Sequence, residues 1–278
     1  VKSKNRIWWI ASYPKSGSTW MRMFINSYVT GFPINLVSAW QYVTGDLQPQ
    51  MYQVTSVQPV TELEDPDPIY YRPAVLMNHL YMSASQDLTL KTHHAKLEVD
   101  GIPLIPPKLS KGALYIIRDP RDVVSSFADH MGQSIDETVD ALSRNDQIIH
   151  KKNCNLYHFL ASWSTHVDSW TVHNKDIPTQ VVRYEDLLTD PEKYFTLSMK
   201  ALGLDPSDKA RFKFALEQSQ FSNLKKLEED NGFREKGKGE KFFRNGKSGE
   251  WRNTLTMEQA KKITDNHSYA MERWNYSV

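Results

Sequence analysis

Tyr13-Pro14-Lys15-Ser16-Gly17-Ser18-Thr19-Trp20 follows an apolar run from Ile7 to Ala11 and leads into Met21, Phe24 and Ile25. The run reads as a buried strand over Ile7–Ser12, and the apolar spacing after the turn predicts a helix from Thr19 to about Thr30. Between them stand a glycine, three hydroxyls and a lysine. Backbone N–H groups in such a turn surround a phosphate, Lys15 adds a point charge, and the helix presents its positive end. An anion site is the natural reading, and a tight turn with a solvated lysine is the bland one. The stretch lacks the GxxxxGK[ST] spacing, so it does not predict ordinary nucleoside-triphosphatase chemistry.

Outward from that turn, Ala113–Ile117 is the clearest central strand, with Pro120 starting a helix that carries Val123, Val124 and Phe127. Leu88, Leu90 and Thr92 mark another strand, and Gln180–Tyr184 a third. Helices are expected from Pro73 to Ser85, Asn155 to His173, Pro191 to about Leu202 and Met257 to about Trp274. Strands followed by helices imply an α/β fold, a central mostly parallel sheet flanked by helices, with residues 1–278 as a single domain. Residues 31–70 carry Gly31, Pro33, Gly45, Pro49, Pro59, Pro66 and Pro68, which predicts loops over the sheet that shape a substrate pocket. Residues 225–252 are rich in Lys, Glu, Gly and Asn but interrupted by Phe242, Phe243 and Trp251. A flap that covers a bound ligand accounts for both features, and a charged surface loop accounts for the first alone.

The chain has 278 residues, enough for a large core. Its 34 Lys and Arg against 33 Asp and Glu leave a net charge of +1, with no general attraction to nucleic acid, so any anion recognition must be local. Cys154 is the single cysteine, which excludes an internal disulfide and a multi-thiolate metal site. No apolar stretch reaches the length of a membrane span. A cytoplasmic protein is expected, and the sequence leaves homo-oligomerisation open.

A second constellation is Ile117-Arg118-Asp119-Pro120-Arg121-Asp122-Val123-Val124-Ser125-Ser126. Arg118 emerges at the carboxyl end of a strand, where open α/β sheets bind ligands, and Ser126 lies about two turns into the next helix. A guanidinium fork plus a hydroxyl holds a phosphate directionally. Arg121 and Asp122 are expected to cap that helix or pair on its surface. Arg244-Asn245-Gly246-Lys247-Ser248-Gly249-Glu250-Trp251 supplies another basic turn, and two separated anion sites suggest two separated phosphates. His93, at the end of Leu90-Lys91-Thr92, is the leading general-base candidate because neutral imidazole accepts a proton near pH 7. Its neighbour His94 is the competitor. His79, His130, His150, His158, His166, His173 and His267 read as surface or packing residues, with no metal-ligand cluster.

These motifs together resemble the sulfotransferases that use 3′-phosphoadenosine 5′-phosphosulfate. YPKSGSTW is similar to their 5′-phosphosulfate loop, RDPRDVVSSF to their 3′-phosphate segment, and FRNGKSGEWRN to their C-terminal cofactor loop, in family order from residue 13 to 253. The resemblance implies a P-loop-like nucleotide-binding architecture in which Lys15, Ser16, Gly17, Ser18 and Thr19 hold the 5′ group. It assigns Arg118, Ser126, Arg244 and Gly246 to the 3′-phosphate, and Trp20, Tyr184 and the Ser219-Gln220-Phe221 element to adenine. Asn245 and Glu250 depart from a pattern that often has a basic residue and an aspartate there, although Asn245 still donates a hydrogen bond.

By the same resemblance His93 is the catalytic histidine of a KTH pattern, and Lys15 stabilises charge on the bridging oxygen. Adenosine 3′,5′-bisphosphate (PAP) is then the product, and no metal is required. The acceptor is expected to be a hydroxyl-bearing small molecule. Tyr42-Val43-Thr44-Gly45 is similar to bacterial enzymes that sulfate glycopeptides and other natural products, with carbohydrate or lipid acceptors as alternatives. Trp40, Tyr42, Met51, Tyr52, Tyr70, Tyr71, Tyr81 and Met82 are candidates for an amphipathic acceptor pocket, and equally for layers covering the core. A nucleotide kinase or a non-catalytic nucleotide-binding module shares the phosphate turn and stays open on the turn alone.

Overall fold

The computed structural model describes residues 5–37, 42–83, 86–150, 156–233, 235–239 and 241–278. β1 (Ile7–Ser12) is buried along almost its whole length, which explains the absence of polar alternation in IWWIAS: a strand with helices on both faces has no solvent side. α1 (Ser18–Thr30) follows the Tyr13–Gly17 turn and stops at Gly31, whose φ of 72° places it in the left-handed region that ends helices. Next come β2 (Val43–Gly45), α2 (Pro49–Gln53), α3 (Asp67–Met82) and β3 (Leu88–Thr92). A small antiparallel ladder of β4 (Glu98–Val99) and β5 (Ile102–Pro103) leads to β6 (Ser110–Ile117).

Beyond β6 the chain forms α4 (Pro120–Met131), α5 (Ile135–Ser143) and a second ladder of β7 (Ile148–Ile149) with β8 (His158–Phe159). α6 (Trp163–Thr171), β9 (Thr179–Arg183), α7 (Tyr184–Thr189), α8 (Pro191–Ala201) and α9 (Lys209–Gln218) follow. The C-terminal part holds α10 (Phe221–Asn231), α11 (Trp251–Thr254) and α12 (Met257–Arg273).

The main sheet has five parallel strands in the order β2-β3-β1-β6-β9. Ala11 of β1 is in register with Thr92 of β3 and Tyr115 of β6, so the carboxyl ends of the three central strands lie along one edge. From β1 the chain runs out to the edge strand β2, returns to β3 beside β1, and then crosses to β6 on the other side. Such a switch of direction opens a crevice at the strand ends.

Alternate residues of the strands feed two cores. Trp9, Ala113 and Tyr115 pack with Val123, Val124 and Phe127 of α4, Trp163 and Trp170 of α6, and Met271 of α12. Ile10, Leu114 and Ile116 face the other way, against Phe24 and Ile25 of α1, Phe195 of α8 and Phe212 of α9. The period of two along each strand delivers this three-layer arrangement.

Several boundaries differ from expectation. α3 starts at Asp67, not Pro73, and encloses Pro73; its true start signal is the acid and proline of Asp67-Pro68 in the first turn. Ser85 and Asn155 lie outside the described residues. The helix expected from Asn155 begins at Trp163, because Ser162 caps it through a bond from Thr165 N–H and the preceding segment forms β8. Tyr184 begins α7 instead of ending a strand. The span 31–70 holds β2, α2 and the start of α3, and residues 225–231 of the expected flap belong to α10.

Candidate active site

The crevice at the strand ends is a cavity of about 510 Å³ lined by the β1–α1 turn, the ends of β3 and β6, α4 and the segment 235–250. In the turn, Lys15 has a φ of 67° and Gly17 a φ of 105°, two left-handed residues that bracket Ser16. No side chain caps α1 at Gly17, so the first-turn N–H groups of Ser18 and Thr19 are presented to whatever fills the turn. A Cβ on Gly17 would stand 2.7 Å from the Tyr184 ring, so glycine is needed for both φ and space. The hydroxyl of Ser16 and the Nε of Arg118 are buried without a hydrogen-bond partner among the described residues. Buried polar atoms carry a penalty until they are paired, and an anion in the turn would pair both kinds.

Lys15 Nζ lies 3.7 Å from the centre of the Phe242 ring. Burial, and next the nearby Arg244 charge, bring its pKa down to about 7. Arg118 leaves the end of β6, lies over Tyr184 at 4.5 Å, and donates to the carbonyls of Lys15 and Lys247, both at 3.1 Å. Ser126 lines the cavity from α4, and Arg244 reaches the Ser125 carbonyl at 3.2 Å. Gly246 has a φ of 61° and lies so close against Phe221 that a Cβ would overlap the ring. Asn245 donates to Glu250 at 3.1 Å.

Trp20, Tyr184 and Phe221 line one end of this cavity. Trp20 meets Tyr184 edge-on at 6.0 Å and donates through its indole to the Ser219 carbonyl at 2.8 Å. Ser219 thus serves through its backbone; its hydroxyl donates to Leu216 O. Aromatic faces of this kind suit a purine.

His93 and His94 are separated by geometry. His93 Nδ1 donates to the Ser12 carbonyl at 2.8 Å, so the proton sits on Nδ1 and Nε2 is the bare nitrogen. The ring lines the cavity, and burial, with Lys91 the next cause, holds its pKa well below the usual imidazole value. His94 is buried and accepts the Phe159 N–H at 3.1 Å, behind the wall of the site. A neutral base thus stands in one cavity with Lys15, three arginines and an uncapped helix start. That arrangement suits transfer of a group from a phosphoanhydride to an acceptor oxygen.

Residues 6–275 match the sulfotransferase domain family. The protein is a member of that family. It is 24% identical over 270 residues to sulfotransferase 2A6 of Mus musculus, covering 93% of this chain and 81% of that protein. Amine sulfotransferase of Oryctolagus cuniculus is 22% identical over 269 residues, 91% of this chain and 77% of the other. Among solved structures, retinol dehydratase in complex with androsterone and the inactive cofactor PAP is similar at a TM-score of 0.62 and 19% identity, covering 97% of this chain and 82% of the other. The sulfotransferase domain of the Synechococcus PCC 7002 olefin synthase gives a TM-score of 0.54 and 18% identity, covering 100% and 98%. The central parallel sheet flanked by helices is therefore a sulfotransferase fold.

Several residues of this sulfotransferase cavity escaped the motifs. Lys91 stands two positions before His93 on β3 and so points to the same side, a period-two signal that was available. Arg22 and Glu235 form an ion pair at 2.5 Å, with Thr19 Oγ1 donating to Glu235 at 3.1 Å. Burial pushes the Glu235 carboxyl up, but the charges of Arg22 and Lys91 outweigh it and hold the pKa down to about 2. His130 and His158, expected as surface or packing residues, both line the cavity. Asp122 neither caps nor pairs on the surface: Asp119 is the cap and binds the buried Arg121, while Asp122 accepts from Gly249 and Trp251 N–H. Among the described residues, none of the aromatic and methionine candidates from Tyr42 to Met82 lines this cavity, and Tyr52, Met51 and Tyr71 pack together as a covering layer instead. Tyr52 is fully buried in a side core, Tyr81 and Met82 are 73% and 70% exposed, and Trp40 lies outside the described residues.

Proposed function

We propose that this sulfotransferase moves a sulfuryl group from 3′-phosphoadenosine 5′-phosphosulfate to a hydroxyl of a small molecule, leaving PAP. The observation that carries the reading is the pairing of two anion-binding turns, Lys15–Thr19 and Arg244–Gly246, joined by Arg118. This one guanidinium bonds Lys15 O of the first turn and Lys247 O beside the second. Orphaned Ser16 Oγ and Arg118 Nε and the glycine-only cradles at Gly17 and Gly246 fit a ligand with phosphates at both ends. Retinol dehydratase, one of the similar structures, was solved with PAP.

The donor supplies an activated sulfuryl group. Ser16, Gly17, Ser18 and Thr19 hold its 5′ end, Arg118, Ser126, Arg244, Asn245 and Gly246 its 3′-phosphate, and Trp20, Tyr184 and Phe221 its adenine, with Ser219 fixing Trp20. His93 Nε2 takes the acceptor proton as the acceptor oxygen bonds sulfur and the sulfur–oxygen bond to the 5′-phosphate breaks. Lys15 balances charge on the departing oxygen.

Calorimetric titration of PAP, AMP and ATP on the protein and on Arg118→Ala tests the reading. Strong preference for PAP that collapses in the variant is the expected result. Equal or tighter ATP binding overturns it.

A further inference from the structure

Beside His93 the cavity wall is polar. The loop after β2 contributes Asp46, Leu47 and Gln48, β3 contributes Lys91, and β8 contributes His158 against Ile149 of β7. His158 is held in place by its neighbour: Phe159 N–H donates to His94 Nδ1 at 3.1 Å, and Ala95 N–H donates to the Phe159 carbonyl at 3.0 Å. Two backbone-anchored bonds thus attach β8 to the chain that carries His93. The His158 ring centre lies 6.1 Å from that of His93, tilted by 47°.

That spacing decides what fits. An aromatic ring sandwiched between two others needs stacking room of about 3.5 Å on each side, more than the 6.1 Å available. Hydrogen-bonded oxygens fit, because each needs about 2.8 Å from a ring nitrogen. His158 lines the cavity, and its Nδ1 is buried without a hydrogen-bond partner among the described residues. Neutral imidazole both donates and accepts.

The geometry points to His158 as an acceptor-orienting residue that engages a second oxygen adjacent to the reacting hydroxyl, so that the preferred acceptors carry vicinal oxygens, as catechols and sugars do. This rests on the sulfotransferase reading above, with His93 holding the hydroxyl that reacts. Gln48 and Lys91 make the remainder of that wall suitable for a polyhydroxylated edge, while Asp46 is buried and paired with Arg72.

The test uses the PAP complex of the full chain, titrated calorimetrically with catechol and with phenol. Catechol should bind about tenfold more tightly, the worth of one hydrogen bond. In His158→Ala the ratio should fall to near one, and His158→Gln, which keeps a donor and an acceptor, should recover part of it. PAP affinity should be the same in all three proteins, which also reports on folding. Equal binding of the two probes by the unaltered protein overturns the inference, as does no binding of either or a ratio that survives His158→Ala. Failure of PAP itself to bind is a separate result: it sinks the donor reading and takes this inference with it.

Discussion

The carboxylate of Asp122 accepts the backbone N–H of Gly249 at 2.7 Å, tying the first turn of α4 to the segment that closes the cavity, 127 positions later in the chain. Trp251 N–H binds the other oxygen at 2.9 Å. In Asp122→Ala both donors lose their acceptor, at about 1–3 kcal/mol for each group left unpaired. PAP affinity should fall by about tenfold or more, and kcat at saturating donor should change far less. Asp122→Asn, which keeps one acceptor oxygen, should lie between. Titration of PAP decides, because repulsion of the donor by Asp122 would give the opposite sign: tighter binding in the alanine variant.

Gly17→Ala is expected to disable donor binding. The residue has a φ of 105°, and an added Cβ would press on Tyr184 at 2.7 Å. A non-glycine residue in a sparsely populated backbone region costs about 1–3 kcal/mol before the ring has moved. Loss of PAP affinity of about tenfold or more, with a lowered melting temperature, is the expected outcome. Wild-type PAP affinity in this variant would show that the turn is looser than the Tyr184 contact implies.

Which parts of this site were readable follows from distance along the chain. Lys15 to Trp20 and Arg118 to Ser126 are strand-end turns whose chemistry lies within ten residues, so local composition exposes them. Glu235 meets Thr19 across 216 positions, and no local pattern marks the only carboxylate that the 5′ turn contacts among the described residues. His158 sits in a two-residue strand too short for any periodicity to mark. Asp122 lies in a motif that was recognised, yet its role depends on where residues 249–251 arrive. The central strands were legible for the opposite reason: burial on both faces makes Ile7–Ala11 and Ala113–Ile117 continuous apolar runs. Pro73 misled because a proline ordinarily opens a helix, and the enclosing α3 overrides that preference.

His93→Ala should lower kcat by about 10²- to 10⁴-fold, the usual contribution of a positioned general base. PAP affinity should be unchanged, because the ring contacts Ser12 O and not the anion turns. His94→Ala should affect stability more than kcat, since that ring is buried behind the wall and bonds Phe159 N–H. Steady-state kinetics and PAP titration on both variants separate the two histidines. Equal kcat losses would reassign the base.

The pH dependence should be unusual because Lys15 and His93, the two groups proposed to serve the reaction, are both shifted downward. Burial, followed by Arg244, lowers Lys15 to about 7 in the free protein, so its charge is lost as pH rises through that value. PAP affinity should therefore weaken from pH 7 to 9, approaching about tenfold per unit where binding must first protonate the lysine. Over that range binding should take up a proton, read calorimetrically as a dependence on the buffer's ionisation enthalpy. His93 stays unprotonated until well below the ordinary imidazole range, so kcat/KM should hold on the acid side and fall on the alkaline side. Lys15→Met should bind more weakly and show a flat profile from pH 7 to 9. A flat profile in the unaltered protein would remove Lys15 as the group that sets the alkaline limb.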